Sequence, residues 1–254
     1  MSPLLKGSDV TVPAGARVVA VVQARMTSSR LPGKVLADIG GQPALGLLLA
    51  RLRAARELDA LVVATSDDVS DDPVAVAAGA DGVPVIRGPL EDVLERYRRA
   101  ATGDAIVRIT GDCPLVDPQI VDYAVGVWKH GGYGYVANCL DPRTFPDGLD
   151  VEVLARDALE TAAEEATDPA DREHVTPFVR AHPGRFQQAA LDLEPPFPDI
   201  RITLDTAEDL ALIRQLVSDL GPMADMTEIV GHLQKRPVDL SVFVRSDGDR
   251  TRPS

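Results

Sequence analysis

Through the first half of the chain, continuous apolar runs alternate with stretches whose apolar residues recur every three or four positions. Val18-Val19-Ala20-Val21-Val22 is unbroken, the pattern of a strand buried on both faces. A long polar segment follows, and Pro43 then opens a stretch in which Leu45, Leu48, Leu49 and Leu52 mark a helix with one buried stripe. Leu61-Val62-Val63-Ala64-Thr65 predicts a second buried strand, ending in the polar turn Ser66-Asp67-Asp68 ahead of a short alanine-rich helix over 73–79. Val83-Pro84-Val85-Ile86 predicts a third strand, placed at an edge or a strand start because proline cannot donate to a ladder. Pro89 marks the next helix N-terminus, with Glu91 and Asp92 in the first turn where the dipole favours acids, and Leu90, Val93, Leu94 and Tyr97 as its buried stripe. Ala105-Ile106-Val107-Arg108-Ile109 is a fourth strand, closed by Thr110-Gly111-Asp112.

Strand and helix alternating at this spacing require parallel strands joined by right-handed crossovers. The fold class is therefore α/β: a doubly wound, mostly parallel sheet of Rossmann-like type in three α/β/α layers. Such sheets bind ligands beyond the carboxyl ends of their strands, so the polar clusters 23–34, 65–68 and 110–112 should converge. The second half is more mixed. Strands are expected over 133–137, 149–153, 187–193 and 201–204, and helices near 156–165, 171–181, 206–219 and 225–234. Residues 1–15 show no periodicity and read as an N-terminal arm, residues 16–236 as one domain, and residues 237–254 as a disordered tail.

Charge changes the picture. The chain of 254 residues carries a formal charge of −13, which argues against a nucleic-acid-binding face. No apolar run reaches the roughly 18–20 residues that span a bilayer, and no apolar segment follows Lys6 as in a secretory signal, so a cytoplasmic protein is expected. Cys113 and Cys139 make neither a disulfide framework nor a zinc motif. Yet Arg25, Arg30 and Lys34 crowd into ten residues with no acidic side chain among them. A solvated basic patch and a local anion site both fit that fact, but the surrounding loop favours the second. From Gln23 to Gln42 it spans twenty residues, where compact α/β units usually use ~2–6, and long loops are commonly functional. Backbone amides of Ala24 to Arg30 can form a nest for phosphate oxygens, which the three cations would neutralise. It is neither a Gly-x-x-x-x-Gly-Lys-Ser/Thr loop nor a dinucleotide fingerprint.

The segment Gln23-Ala24-Arg25-Met26-Thr27-Ser28-Ser29-Arg30-Leu31-Pro32-Gly33-Lys34 resembles the signature loop of cytidylyltransferases that activate acidic sugars, the CMP-KDO and CMP-sialic acid synthetases. The closer likeness is to the spore-coat-polysaccharide type. Further segments carry it in the expected order: Gly88-Pro89-Leu90-Glu91-Asp92-Val93-Leu94-Glu95-Arg96-Tyr97, Arg108-Ile109-Thr110-Gly111-Asp112-Cys113-Pro114, Pro146-Asp147-Gly148-Leu149-Asp150-Val151-Glu152, Arg172-Glu173-His174-Val175-Thr176-Pro177 and Arg201-Ile202-Thr203-Leu204-Asp205-Thr206-Ala207-Glu208-Asp209. The resemblance implies the nucleotide-diphospho-sugar transferase fold and CMP transfer from CTP to a sugar, sugar acid or other small acceptor. It also implies Mg²⁺ as cofactor, a role in polysaccharide biosynthesis and a homodimer.

By the residues alone, Asp112 is a metal carboxylate or the acceptor of an Asx turn, and Asp205 reads more readily as a helix N-cap; the resemblance makes both metal ligands. It places Gln23, Ala24, Arg25, Ser28, Arg30 and Lys34 at the nucleotide phosphates. Thr65, Ser66, Asp67 and Arg87 fall near the base, and Arg108, Thr110 and Gly111 also with the nucleotide. Asn138, Asp150, Glu152, Arg172 and His174 fall to the acceptor. Arg25, Lys34 and Asp112 are the expected catalytic residues. Gln23 departs from the Pro common in sugar-acid synthetases, and the resemblance places no arginine for an acceptor carboxylate.

Overall fold

The unbroken apolar run Val18–Gln23 (β1) lies inside a sheet and is buried on both faces. The structure is a computed structural model and describes residues 15–246. The chain continues through the two-stranded hairpin Asp38–Ile39 (β2) and Gln42–Pro43 (β3), helix Ala44–Leu52 (α1), Ala60–Ser66 (β4), Asp72–Ala80 (α2), Val85–Gly88 (β5), Val93–Ala100 (α3) and Ala105–Thr110 (β6). Then come Pro118–Gly131 (α4), Tyr135–Ala137 (β7), Glu152–Ala155 (β8), Arg156–Glu165 (α5), Pro169–His174 (α6), Pro177–Ala181 (α7) and Gln188–Glu194 (β9). Ala207–Leu220 (α8), Met226–Gln234 (α9) and Ser241–Ser246 (β10) complete the described residues.

Among the described residues, eight strands form one sheet in the order β10-β9-β7-β8-β6-β1-β4-β5. β6, β1, β4 and β5 run parallel, as do β7 and β9; β8 and β10 are antiparallel to their neighbours. The expected mostly parallel, three-layer sheet is therefore present. Its strands read as apolar runs because both faces are covered. Val18, Ala20 and Val22 pack with α1, α4 and α8 on one side. Val19 and Val21 pack with α3, α5 and Val175 and Val179 on the other. Leu45, Leu48, Leu49 and Leu52 are fully buried as their spacing requires.

Several expectations shift. α3 begins at Val93, because the Asp92 side chain accepts from the Glu95 amide at 2.9 Å and caps it there; Pro89 and Glu91 lie in the preceding turn. The helix expected over 171–181 is two, since Val175 takes a positive φ of 72° that ends α6, and Pro177 then opens α7 as its first residue. Residues 201–204 form no strand, only a single bridge between Arg201 and Asp147. α4 is an element absent from the predicted set, although Asp117 caps it, Pro118 sits in its first turn and Ile120, Val121, Ala124, Val125 and Trp128 recur at helical spacing. The disordered tail over 237–254 does not hold for 241–246, which pair with residues 189–194 of β9. Its remaining residues, and the arm up to residue 14, lie outside the described residues.

Candidate active site

The connection after β1 is ordered by its own backbone. The Gly33 amide donates to the Met26 carbonyl at 2.9 Å, and Gly33 takes the left-handed φ of 73° that lets the chain fold back. A 3₁₀ turn over Lys34–Leu36 then leads into the β2–β3 hairpin, so the later part of the connection carries its own regular structure. Two amides of the expected nest are spent internally: Ala24 donates to the Ala64 carbonyl at 3.2 Å and Met26 to Asp71 Oδ1 at 2.6 Å. Asp71 is fully buried, and its other oxygen takes the Ser66 amide at 3.2 Å and hydroxyl at 2.5 Å. It ties the phosphate-loop candidate to the end of β4. Composition offered no signal for that role, because Asp71 sits in a run of exposed acids.

A cleft of about 350 Å³ opens beside this loop. One wall is Gln23, Ala24, Arg25, Thr27, Ser28, Ser29, Arg30 and Lys34; the other is Val93, Arg108, Thr110, Gly111, Asp112, Glu173, His174 and Asp205. Gly111 lets the wall close up: a Cβ there would stand 2.9 Å from the Gln23 carbonyl oxygen. Three pieces of chain distant in sequence meet at its floor. The Leu204 amide donates to the Asp112 carbonyl at 2.8 Å, which sets Asp205 beside Asp112. Lys34 Nζ then bridges both carboxylates, 3.1 Å from Asp112 Oδ2 and 2.6 Å from Asp205 Oδ1. Asp205 Oδ2 also meets Arg30 at 2.9 Å and Arg201 at 2.7 Å. Burial alone would raise the Asp205 pKa, but Lys34, Arg30 and Arg201 outweigh it and hold the carboxyl below its usual range. Arg25 also lines the cleft, and among the described residues it has no ion-pair partner.

The N-cap reading of Asp205 gives way. Thr206 caps α8 instead, in a capping box with Asp209, which leaves the Asp205 carboxylate to the cleft. Asp112 and Asp205 converging on one ammonium also fit a hard dication, which takes one or two carboxylates and completes its shell with phosphate and water. Among the described residues there is no cluster of three or more candidate ligands, so a closed all-protein metal cage is absent.

Eight other expected positions lie outside the cleft lining, each engaged elsewhere in the fold or exposed. Thr65 and Ser66 are fully buried in β4, and Asp67 is exposed on the far side of that strand end; none lines the cleft. Arg87 holds the same turn from outside, donating to the Ser66 and Asp68 carbonyls at 2.8 Å each. Asn138 is a buried clamp between the Leu149 carbonyl (2.7 Å) and the Val151 amide (2.8 Å). Arg172 binds Asp92 and the Ala163 carbonyl, fastening α6 to α3 and α5. Glu152 is buried, with oxygens taken by Arg108 (2.5 Å), Tyr135 (2.5 Å) and Thr176 (3.1 Å), so it has none left for an acceptor. Asp150 precedes β8 and is held in a fork by Arg143 at 2.7 and 2.9 Å. Burial raises both cysteine thiols well above their ordinary pKa, against any nucleophilic role.

Residues 19–240 match the cytidylyltransferase family. The chain belongs to that family. It is 33% identical over 234 residues to the spore coat polysaccharide biosynthesis protein SpsF of Bacillus subtilis, covering 87% of this chain and 95% of that protein. A cytidylyltransferase from Leptospira borgpetersenii superposes with a TM-score of 0.82 at 33% identity, over 87% of this chain and 94% of that one. The CMP:2-keto-3-deoxy-manno-octonic acid synthetase solved with CTP shares the fold, with a TM-score of 0.61 at 19% identity over 80% of this chain and 99% of that one.

Proposed function

We propose that this cytidylyltransferase moves CMP from CTP to a hydroxyl of a sugar, sugar acid or similar small acceptor. The observation that carries the reading is the convergence of Asp112 and Asp205 on Lys34 Nζ at the foot of a cationic loop. The acceptor oxygen bonds to the α-phosphorus, the bond from that phosphorus to its β-bridging oxygen breaks, pyrophosphate leaves, and the hydroxyl proton goes to water. Arg25, Arg30 and Lys34 bind and orient the triphosphate, the arginines through paired donors and Lys34 as a point charge. Gln23, Ala24 and Gly111 form the close backbone wall at the end of β1 and β6. Asp112 and Asp205 would hold Mg²⁺, which when bound supplies neutralisation of phosphate charge as a Lewis acid. Positioning and fixed charge are therefore the protein's contribution. A pyrophosphate-release screen of the four NTPs against a panel of sugars and sugar acids tests it. Release is expected with CTP; no release with any NTP, together with tight binding of a finished CMP-sugar, overturns the assignment.

A further inference from the structure

On the cleft wall opposite the phosphate loop, β6 places an arginine among apolar neighbours. Arg108 lies two residues before the strand end at Thr110, about 7 Å back along the sheet, on the face it shares with Ile106. Asp112 lies beyond the strand end, in the turn that follows Thr110. Arg108 thus reaches the cleft from within the strand, and the carboxylate from the turn after it.

Its surroundings are built around it. Glu152 lies opposite in the register of β8 and accepts from Arg108 Nη1 at 2.5 Å. The other Glu152 oxygen takes the Tyr135 hydroxyl at 2.5 Å and Thr176 Oγ1 at 3.1 Å, so the carboxylate cannot swing away. The guanidinium carbon lies 5.9 Å from the centre of the Tyr97 ring, and the Tyr97 hydroxyl is itself tied to the Ile109 carbonyl at 3.1 Å. Arg108 Nε is buried without a partner. As a source of stability this arrangement is poor. Buried ion pairs seldom outperform apolar residues of the same volume, and an unmet buried donor costs free energy. What the network does achieve is one fixed orientation for a guanidinium whose side chain stays 17% exposed on the cleft wall. Two other cations of the cleft, Arg30 and Lys34, already face Asp112 and Asp205.

We propose that Arg108 is a specificity-determining residue that takes an anionic group of the acceptor, a carboxylate or a phosphate, while Glu152, Tyr135 and Thr176 act as its positioning residues. This rests on the CMP-transfer reading above and deepens it. With Nη1 held by Glu152 and Nε buried, Nη2 is the guanidinium nitrogen left to donate to an anion, and a neutral acceptor in the same place would leave that charge-assisted donor poorly matched, which is how a polar site rejects an analogue.

The test uses the full chain and calorimetry in two stages. CTP binding is measured first; its absence sinks the cytidylyltransferase reading and leaves Arg108 without an acceptor to read, overturning both. The CTP-loaded protein is then titrated with eight- and nine-carbon keto sugar acids, with hexose 6-phosphates, and with the matching carboxamides and unphosphorylated sugars. The expected result is binding of an anionic member at least tenfold tighter than its neutral counterpart, the acid and phosphate arms telling which anion is read. Arg108→Lys should weaken that member at least tenfold and leave CTP affinity within twofold. The double variant Arg108→Met/Glu152→Gln removes both charges, so it should keep the wild-type melting temperature within a few degrees and still lose the preference. No anionic member preferred over its neutral partner, or an Arg108→Lys variant that loses CTP affinity instead, overturns the proposal.

Discussion

Replacing Lys34 with methionine removes the one cation shared by Asp112 and Asp205 and keeps the length of the side chain. The structure sets the size of the effect. At 3.1 and 2.6 Å, two opposite charges interact by about 5–6 kcal/mol each at an effective dielectric near 20, before desolvation is counted. Most of that does not appear as stability, because Asp205 keeps Arg30 and Arg201 and the Asp112 side chain is 28% exposed. A loss of ~1–2 kcal/mol is therefore expected, below the ~3–5 kcal/mol of a broken, fully buried pair. Turnover should suffer more, since removing one fixed charge at a developing anion costs ~10²–10³ in rate. The same variant should expose the cation site itself. In the wild type the ammonium stands where the two carboxylates converge; without it they should take up Mn²⁺ with no nucleotide present. Loss of the free Mn²⁺ signal on titration, followed by electron paramagnetic resonance, reads this directly. Wild-type turnover at saturating CTP, or Mn²⁺ binding no tighter than in the parent, would refute the reasoning.

Asp71→Asn keeps the shape but sets an amide donor against the Met26 or Ser66 amides, so the KM for CTP should rise about tenfold for ~1–3 kcal/mol, with the acceptor KM unchanged. Gly148→Ala should cost ~3 kcal/mol or more in chemical denaturation, because φ is 105° and the new Cβ would stand 2.6 Å from the Thr203 amide nitrogen. Glu95 is held down to about 2, from 4.5, first by its hydrogen bond to Arg98 and then by Arg99. With the folded value the lower one, its contribution is present above about pH 4.5 and fades as pH falls towards 2. The melting-temperature gap between wild type and Glu95→Gln should close over that window. Stripping divalent metal with EDTA should abolish pyrophosphate release, and Mg²⁺ or Mn²⁺ should restore it.

The parallel half of the fold was legible because double-sided burial leaves a one-dimensional trace: β1, β4 and β6 are apolar runs with a polar residue at each end. The convergence of the 23–34 loop and the Thr110–Asp112 turn on one cleft was legible for the same reason, since strand ends mark the ligand face. Asp205 enters the site through the resemblance and not from the residues alone, because an aspartate before Thr206 looks like a cap until the Asp209–Thr206 box is seen to do that work. Glu152 and Asn138 went to the acceptor because a polar residue beside a strand looks the same whether it faces a cleft or a buried partner. Only pairing across β6, β8 and β7 distinguishes the two. α4 went unread although its cap and period were both in the sequence. The strand β10 left little trace because it is an edge with exposed residues, including Phe243 at 45% exposure.

If the proposed function holds, an acidic protein must receive a polyanion, and the ion pairs of the cleft would meet that charge problem by exchange. Arg30 and Lys34 do not wait as bare cations; they rest on Asp112 and Asp205. A triphosphate that draws them away substitutes one anion for another, so neither cation is stripped of partners on the way. The two carboxylates thereby left behind are a donor set for a dication, whose two charges replace the two that moved. Metal and nucleotide then favour each other's binding by the same factor, as linkage requires. Arg25 stands outside the exchange. Among the described residues no carboxylate pairs with it, so it can meet the first phosphate without giving anything up. Under the proposed function the loop's three cations are therefore not equivalent: one would receive the nucleotide, and two would move to it while opening the place of the metal.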